Sequence, residues 1–127
     1  MNNNLKKISF ALAQLIALTI LCLPLHALAA NRVSIPKQFQ GLWADRQVGC
    51  KKNPVDSDTG YAINATSILQ HEQSCVIYGI TNAGPNFITA KFECREEDMM
   101  NKNTFTLRIS KNGKSLSVDK RKLVKCS

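Results

Sequence analysis

Five cysteines in a chain of 127 residues are the feature that most restricts the fold. Cys22 lies inside an apolar N-terminal stretch, whereas Cys50, Cys75, Cys94 and Cys126 are spread over the rest of the chain. None of these four belongs to a C-x-x-C pair, which disfavours a zinc site or a thioredoxin-like redox motif. An even number of cysteines in a short exported domain predicts two disulfide bonds.

The N-terminal stretch has the organisation of a secretory signal peptide. Two lysines precede an apolar run from Ile8 to Leu25, and Ala27-Leu28-Ala29 forms a small-x-small cleavage site. A membrane anchor is the alternative, but Pro24 and the Ala-rich end favour cleavage. We therefore predict a cleaved signal peptide over residues 1–29 and one domain over residues 30–127, located in the periplasm or secreted, with no stable membrane span after cleavage.

The charge of the chain indicates which partners it attracts. The formal net charge is +8, and without the two leader lysines 15 basic residues remain against nine acidic ones, or +6. Such a protein readily meets anionic lipid, polysaccharide or acidic protein surfaces. The basic residues are scattered except near Lys120, Arg121 and Lys122, which we identify as a possible binding surface. No motif supports a nucleic-acid partner.

One hairpin decides between the three possible disulfide connectivities. Residues 75–81 lead into the turn cluster Asn82-Ala-Gly-Pro-Asn86, and residues 88–94 then alternate between apolar and polar. A hairpin of these two runs brings Cys75 opposite Cys94, within reach of a disulfide after local twisting. The remaining pair is then Cys50–Cys126. The same register implies the cross-strand pairs Ile77–Phe92 and Thr81–Ile88.

The rest of the chain predicts further short strands. Residues 39–44 form the first strand, residues 61–72 the second, and residues 95–103 a polar connection. Lys111-Asn112-Gly113-Lys114 is typical of a type I′ hairpin turn. No segment has a sustained helical period. The predicted fold is therefore all-β: a small antiparallel β-barrel or strongly curled sheet of six to seven strands, with disulfides Cys50–Cys126 and Cys75–Cys94.

The sequence offers little for catalysis or metal binding. His71 is the one histidine after the leader, and no nucleophile motif or phosphate-binding loop is present. His71-Glu72, the acidic run at residues 96–98 and Met99-Met100 are read as surface or loop residues. The aspartates of the loop at residues 56–60 lack the acidic twelfth ligand of a calcium loop. We predict a protein that is not an enzyme and has no cofactor or metal.

A binding surface is the remaining functional option. Val76, Tyr78 and Ile80 lie on the hairpin face opposite Ile77 and Phe92, which makes the hairpin apolar on both sides. Either both faces are buried, which we favour, or these three residues form an exposed patch that contacts a partner.

Several short motifs resemble a widespread group of small, exported, uncharacterised proteins of Gram-negative bacteria. They are Ile35-Pro36, Phe39-x-Gly41-x-Trp43-Ala44 with a cysteine soon after, the run from Ser110 to Leu116, and the closing Leu123-Val-Lys-Cys126. In that group the cysteine after the tryptophan and the C-terminal cysteine are often the only two, so the resemblance supports Cys50–Cys126.

The Gly41-x-Trp43 pair is also similar to the opening of lipocalins and of small periplasmic inhibitors of secreted metalloproteases. That likeness implies that Trp43 plugs one end of a barrel, with Gly41 making room for it. In the inhibitors a free N-terminal arm enters the protease, a part that residues 30–35 would play here. A third comparison, with periplasmic inhibitors of c-type lysozyme, is disfavoured because those lysozymes are basic and would repel this chain.

These observations lead to two functional hypotheses. The first is a non-enzymatic periplasmic or secreted binding module, with an inhibitor-like role as its sharper form and an unknown protein as its partner. The second is an envelope-associated structural or stress protein that binds anionic lipid or polysaccharide through a basic face.

Overall fold

The computed structural model describes residues 32–127, so the predicted signal peptide at residues 1–29 lies outside the described part. Eight strands within residues 32–127 form a closed antiparallel barrel, in which each strand pairs with its neighbours along the chain and the last returns to the first. The all-β barrel and both disulfides are confirmed, but the barrel has eight strands, not six or seven. The strands are β1 Gly41–Ala44, β2 Gly60–Ile63, β3 Ser67–Gln70, β4 Gln73–Gly84, β5 Phe87–Glu96, β6 Met99–Ile109, β7 Ser115–Val118 and β8 Arg121–Lys125.

The additional strand arises because residues 61–72 are two strands and not one. The chain turns between β2 and β3, where the Asn64 side-chain oxygen accepts hydrogen bonds from the backbone N–H groups of Thr66 and Ser67, each at 2.8 Å. Asparagine commonly stabilises turns in this way, by bonding to backbone two or three residues further on. The prediction of one continuous strand over residues 61–72 is therefore wrong.

The prediction of a polar connection over residues 95–103 is wrong. β5 and β6 pair without interruption from Phe87–Arg108 to Glu96–Met99, so most of this segment is strand. The only residues between the two strands are Glu97 and Asp98, and Glu97 has a φ of 49°. Hydrogen bonding to a long neighbouring strand outweighs the low strand propensity of these polar residues, since that propensity depends strongly on context.

The hairpin of β4 and β5 confirms part of the predicted register. Cys75 lies opposite Cys94 and Ile77 opposite Phe92. Two β-bulges then shift the register, between Ile77 and Gly79 and again between Ile80 and Asn82. Ile88 therefore faces Ala83, and the predicted Thr81–Ile88 pair is wrong. Each bulge inserts one extra residue into β4, which a simple alternating pattern does not reveal.

The turn between β6 and β7 lies where the sequence predicted it but is not of type I′. A type I′ turn needs positive φ at both central residues; Gly113 has a φ of 70°, whereas Asn112 is not among the residues with positive φ. The loop instead spans residues 110–114, and the Asn112 side chain accepts a hydrogen bond from the Lys114 N–H at 3.1 Å.

The barrel interior is a packed core closed at one end by the N-terminal segment. The predicted first strand over residues 39–44 is a 3₁₀ helix at Lys37–Phe39 followed by β1. Trp43 is fully buried and its indole N–H donates to the Phe39 carbonyl at 3.0 Å. Gly41 has a φ of 134°, which residues with side chains rarely adopt, so it permits the change of direction between helix and strand.

The two disulfides join different parts of the barrel. Cys75–Cys94 links neighbouring strands through the core, with a Cα–Cα distance of 3.9 Å. Cys50–Cys126 links the 3₁₀ helix Gln47–Lys51, which follows β1, to the chain end that follows β8. No helix within the described residues has the length and apolar character needed to cross a membrane.

Candidate functional site

The outer face of β4, β5 and β6 exposes several apolar side chains. Val76 is 51% exposed, Tyr78 46% and Met100 54%. Neighbouring positions on this face are polar or charged, because Val76 lies opposite Glu93 on β5 and Met100 lies opposite Arg95. We call Val76, Tyr78 and Met100 the outer patch. Their exposure contradicts our expectation that both faces of the hairpin are buried.

Tyr78 of the outer patch lies at the first bulge. Tyr78 is the extra residue between Ile77, which is buried, and Gly79, which lies opposite the exposed Lys91. The Lys102 ammonium lies 5.8 Å from the centre of the Tyr78 ring, across the intervening strand β5. This cation–π contact joins β4 and β6 over the outer surface.

Ile80 does not belong to the same face. Directly opposed residues of an antiparallel pair share a face, and Ile80 lies opposite the fully buried Ala90. Ile80 nevertheless remains 40% exposed. The predicted surface of Val76, Tyr78 and Ile80 is thus divided by the bulge, because an inserted residue reverses the alternation of faces.

A shallow hollow lies between Val76 and Met100. It has a volume of about 250 Å³ and is lined by both of them and by Ser74, Glu93 and Arg95. The Arg95 guanidinium lies 3.8 Å from the Met100 sulfur. The hollow therefore combines apolar walls with one cation and one carboxylate, a composition that suits contact with a mixed protein surface and lacks the enclosure of a small-molecule pocket.

The predicted basic surface is divided in the structure. Arg121 binds both carboxylate oxygens of Asp45, at 2.7 and 2.8 Å, and also donates to the Asp58 carbonyl. Its guanidinium lies 5.0 Å from the centre of the Tyr61 ring. The hydrogen bond from Arg121 is the largest cause of the lowered pKa of the Asp45 carboxyl. Arg121 is therefore engaged in holding the β1–β2 loop against β8.

Lys120 and Lys122 lie elsewhere. Lys120 is in the turn between β7 and β8, and Lys122 lies opposite Ser117, which in turn lies opposite Arg108 on β6. Arg108 and Lys122 both line an open hollow of about 450 Å³. Lys122 and Arg108 are therefore neighbouring cations on either side of β7. Arg108 is not part of the basic cluster at residues 120–122 in the sequence.

The inhibitor resemblance predicts a free N-terminal arm over residues 30–35. The described part of this arm, residues 32–35, packs against the domain. Val33 packs against the core, Ile35 is fully buried, and the Ile35 N–H donates to the Ala65 carbonyl at 2.8 Å. Gln40 donates from its side chain to the Ile35 carbonyl at 2.7 Å. Val33 and Ile35 are therefore not free to enter the cleft of another protein.

The candidates for catalysis are dispersed. His71 and Glu72 lie 3.7 Å apart in the exposed β3–β4 turn. Met99 and Met100 are successive residues of β6, so their side chains point to opposite faces. Among residues 32–127, no group of three or more histidine, cysteine, aspartate or glutamate residues is placed to hold a metal ion.

Comparison with known proteins leaves the fold and the outer patch as the basis for a functional argument. No protein-family model, curated protein or solved structure matches the chain. Two disulfides are consistent with an extracellular or periplasmic protein, because cytosolic thiols are kept reduced.

Sequence reasoning missed Met100 as part of the outer patch, and it missed Arg95 and Lys102 as the cations beside it. These residues lie in the segment assigned to a connecting loop. The one usable signal in that segment is the adjacent pair Met99-Met100, because contiguous exposed apolar residues are more informative than single ones.

Proposed function

We propose that the protein is a non-enzymatic binding module of the periplasm or the extracellular medium, and that it contacts a partner protein through the outer patch. The exposure of Val76, Tyr78 and Met100 on one face carries this proposal. Tyrosine and methionine are enriched at protein interfaces, and the charged residues around them form a polar rim. The packing of Val33 and Ile35 against the domain argues against a contact through a free N-terminal arm.

A pull-down from the envelope fraction tests the proposal. Wild type is compared with a Val76→Ser/Tyr78→Ser variant and with a Val48→Ser control. Val48 is 62% exposed but lies in the 3₁₀ helix after β1, outside the outer patch. A partner retained by wild type and by the control, and lost by the double variant, supports the proposal. Equal capture by all three proteins contradicts it.

The inhibitor-like form of this function has a separate test. Purified protein is added to secreted proteases and to lysozymes, and the residual activity of each enzyme is measured. Activity that is unchanged at micromolar excess removes the inhibitor-like role and leaves the binding module.

A second candidate function is supported by the pairing of Arg108 and Lys122 across β7. Two cations beside one hollow suit an anionic lipid headgroup or polysaccharide of the envelope. Binding to anionic vesicles is expected to fall with added salt and with an Arg108→Gln/Lys122→Gln variant, whereas Lys51→Gln/Lys52→Gln serves as a charge-matched control. Absent or salt-independent binding contradicts this function.

A further inference from the structure

The first half of β6 has an edge without a neighbouring strand among residues 32–127. β6 pairs with β5 along its whole length, but with β7 only at residues 107–109. Next to that pairing, the Asp119 N–H donates to the Thr106 carbonyl at 2.8 Å, and the Asp119 carboxylate accepts from the Thr106 N–H. The edge from Met99 to Phe105 follows, and it contains no bulge.

The pairing of β5 with β6 determines which backbone groups this edge presents. Thr106 bonds to Asp119 on the side away from β5, and backbone direction alternates along a strand. Met100, Lys102 and Thr104 therefore direct their N–H and C=O groups outward from the sheet edge. An extended strand is the partner that satisfies such a row of groups, and uninterrupted edges are sites of strand addition.

We propose that this edge binds the same edge of a second copy of the chain, as an antiparallel two-fold pair centred on Asn101. Charge supports a second copy as the occupant. Glu97 and Asp98 lie at the start of the edge, and Lys120 lies in the turn at its end. Antiparallel pairing about a two-fold axis places the acidic end of each copy beside the basic end of the other. The net positive charge of each chain is screened beyond about 8 Å at physiological ionic strength.

The outward N–H and C=O groups restrict the register. Hydrogen-bonded pairs must join even-numbered residues of the two copies. One residue of β6 must therefore lie opposite its own counterpart at the two-fold axis, and this residue is the centre of the pairing. Centring on Lys102 sets two ammonium groups directly opposite each other, which is unfavourable. Centring on Met100 leaves Met100 with its own counterpart as the one hydrogen-bonded pair within the strands, because Lys102 then lies opposite Asp98 of the turn.

Centring on Asn103 is excluded by the closed part of the barrel. It would set the partner copy's strand against Thr106 and Leu107, whose free sides already contact Asp119 and Val118. Asn101 remains as the centre. Met100 of each copy then forms a hydrogen-bonded pair with Lys102 of the other, and Asn101 faces its own counterpart in a non-hydrogen-bonded pair. The outer patches of the two copies fall on the same side of the joined sheet, which would give a partner two linked sites.

Sedimentation measurements test the pairing. We expect wild type to be a reversible dimer with a dissociation constant between about 1 µM and 1 mM, because the interface is short. Lys102→Pro removes one outward N–H and is expected to give a monomer, since proline is tolerated on an edge that donates to no neighbour. Lys102→Ala keeps the N–H and is expected to dimerise. A circular dichroism melt of dilute protein confirms that both variants are folded.

Cysteine cross-linking tests the register. Asn101→Cys places two thiols in a non-hydrogen-bonded pair, the arrangement that Cys75 and Cys94 have within the chain, so mild oxidation is expected to give a covalent dimer. Asn103→Cys is the control, because its two copies would lie about 13 Å apart along the strands. Peptide mapping verifies that the two native disulfides persist in both variants.

The outcomes separate this proposal from the binding function of the outer patch. A wild type that stays monomeric up to about 1 mM overturns it, as does a dimer that survives Lys102→Pro, or equal cross-linking of both cysteine variants. The Val76→Ser/Tyr78→Ser variant is expected to dimerise like wild type, so loss of partner capture and loss of pairing are read independently.

Discussion

The barrel consists of two unlike halves. β1, β2, β3, β7 and β8 have four or five residues each, whereas β4, β5 and β6 have ten to twelve. The short strands share few hydrogen bonds: β1 and β8, which close the barrel, pair at only two positions. The long strands pair over ten positions at each of their two junctions. We call these parts the short-strand half and the long sheet.

Different interactions hold the two halves together. The short-strand half relies on links between residues far apart in the chain, Cys50–Cys126 and the ion pair of Arg121 with Asp45. The long sheet relies on its own hydrogen-bonded ladder and on the local Cys75–Cys94 bond. The long sheet also extends past the strands that close the barrel, since β7 pairs with β6 only at residues 107–109. It carries the outer patch and the unpaired edge of β6 from Met99 to Phe105, which we call the free edge.

The largest expected effect is the loss of the long-range disulfide. We expect Cys50→Ala/Cys126→Ala to lower the free energy of unfolding by about 4 kcal/mol, if the cross-link acts by restricting the unfolded chain. The sequence separation of 76 residues makes this restriction large. Urea unfolding followed by Trp43 fluorescence measures it. A loss below about 1 kcal/mol would show that backbone pairing and the ion pair close the barrel without the disulfide.

The local disulfide is expected to contribute less. Cys75→Val/Cys94→Val keeps buried apolar volume in the core and removes a bond that spans 19 residues, for an expected loss of about 3 kcal/mol. The same urea titration compares the two double variants. A loss greater than that of Cys50→Ala/Cys126→Ala would mean that the long sheet depends more on its disulfide than the short-strand half does.

Amide hydrogen exchange probes the free edge directly. In dilute protein, the amides of Met100, Lys102 and Thr104 are expected to exchange about tenfold or more faster than those of Asn101 and Asn103, which face β5. Arg108 serves as a control in the same strand, since its outward groups face Ser117 of β7. Uniform protection along β6 would mean that the edge is covered even in the dilute protein.

The smallest effect concerns the ion pair of the short-strand half. The pKa of Asp45 is lowered in the folded protein, so its contribution to stability is present above the unfolded pKa of about 3.9 and is lost as the pH falls through the folded pKa. We expect Asp45→Asn to cost about 1 kcal/mol or less at neutral pH, because the pair is partly exposed, and nothing in strong acid.

Urea unfolding at several pH values measures this difference. Asp98→Asn, in the β5–β6 turn of the long sheet, is the control and is expected to change stability by less than about 0.5 kcal/mol at any pH. A destabilisation by Asp45→Asn that is the same at acidic and neutral pH would show that the carboxylate charge is not the cause.

Part of the candidate site could be predicted from sequence and part could not. Val76 and Tyr78 follow from alternation, because both lie close to Cys75 and no inserted residue comes before them in β4. Ile80 was assigned to the wrong face, since the first bulge comes before it. Met100 and Lys102 were missed because their segment has no apolar periodicity of its own and is strand only beside β5.

The sequence by itself determined the class of the fold, both disulfides and the register near Cys75. The fold class and the register follow from local alternation and from the turn residues at 82–86. The hairpin gives Cys75–Cys94, and the even number of cysteines then leaves Cys50–Cys126 by elimination. Tertiary structure alone decided the two bulges, the length of β6, the engagement of Arg121 by Asp45 and the exposure of the outer patch. Each of these depends on which strands and loops lie side by side in the folded barrel.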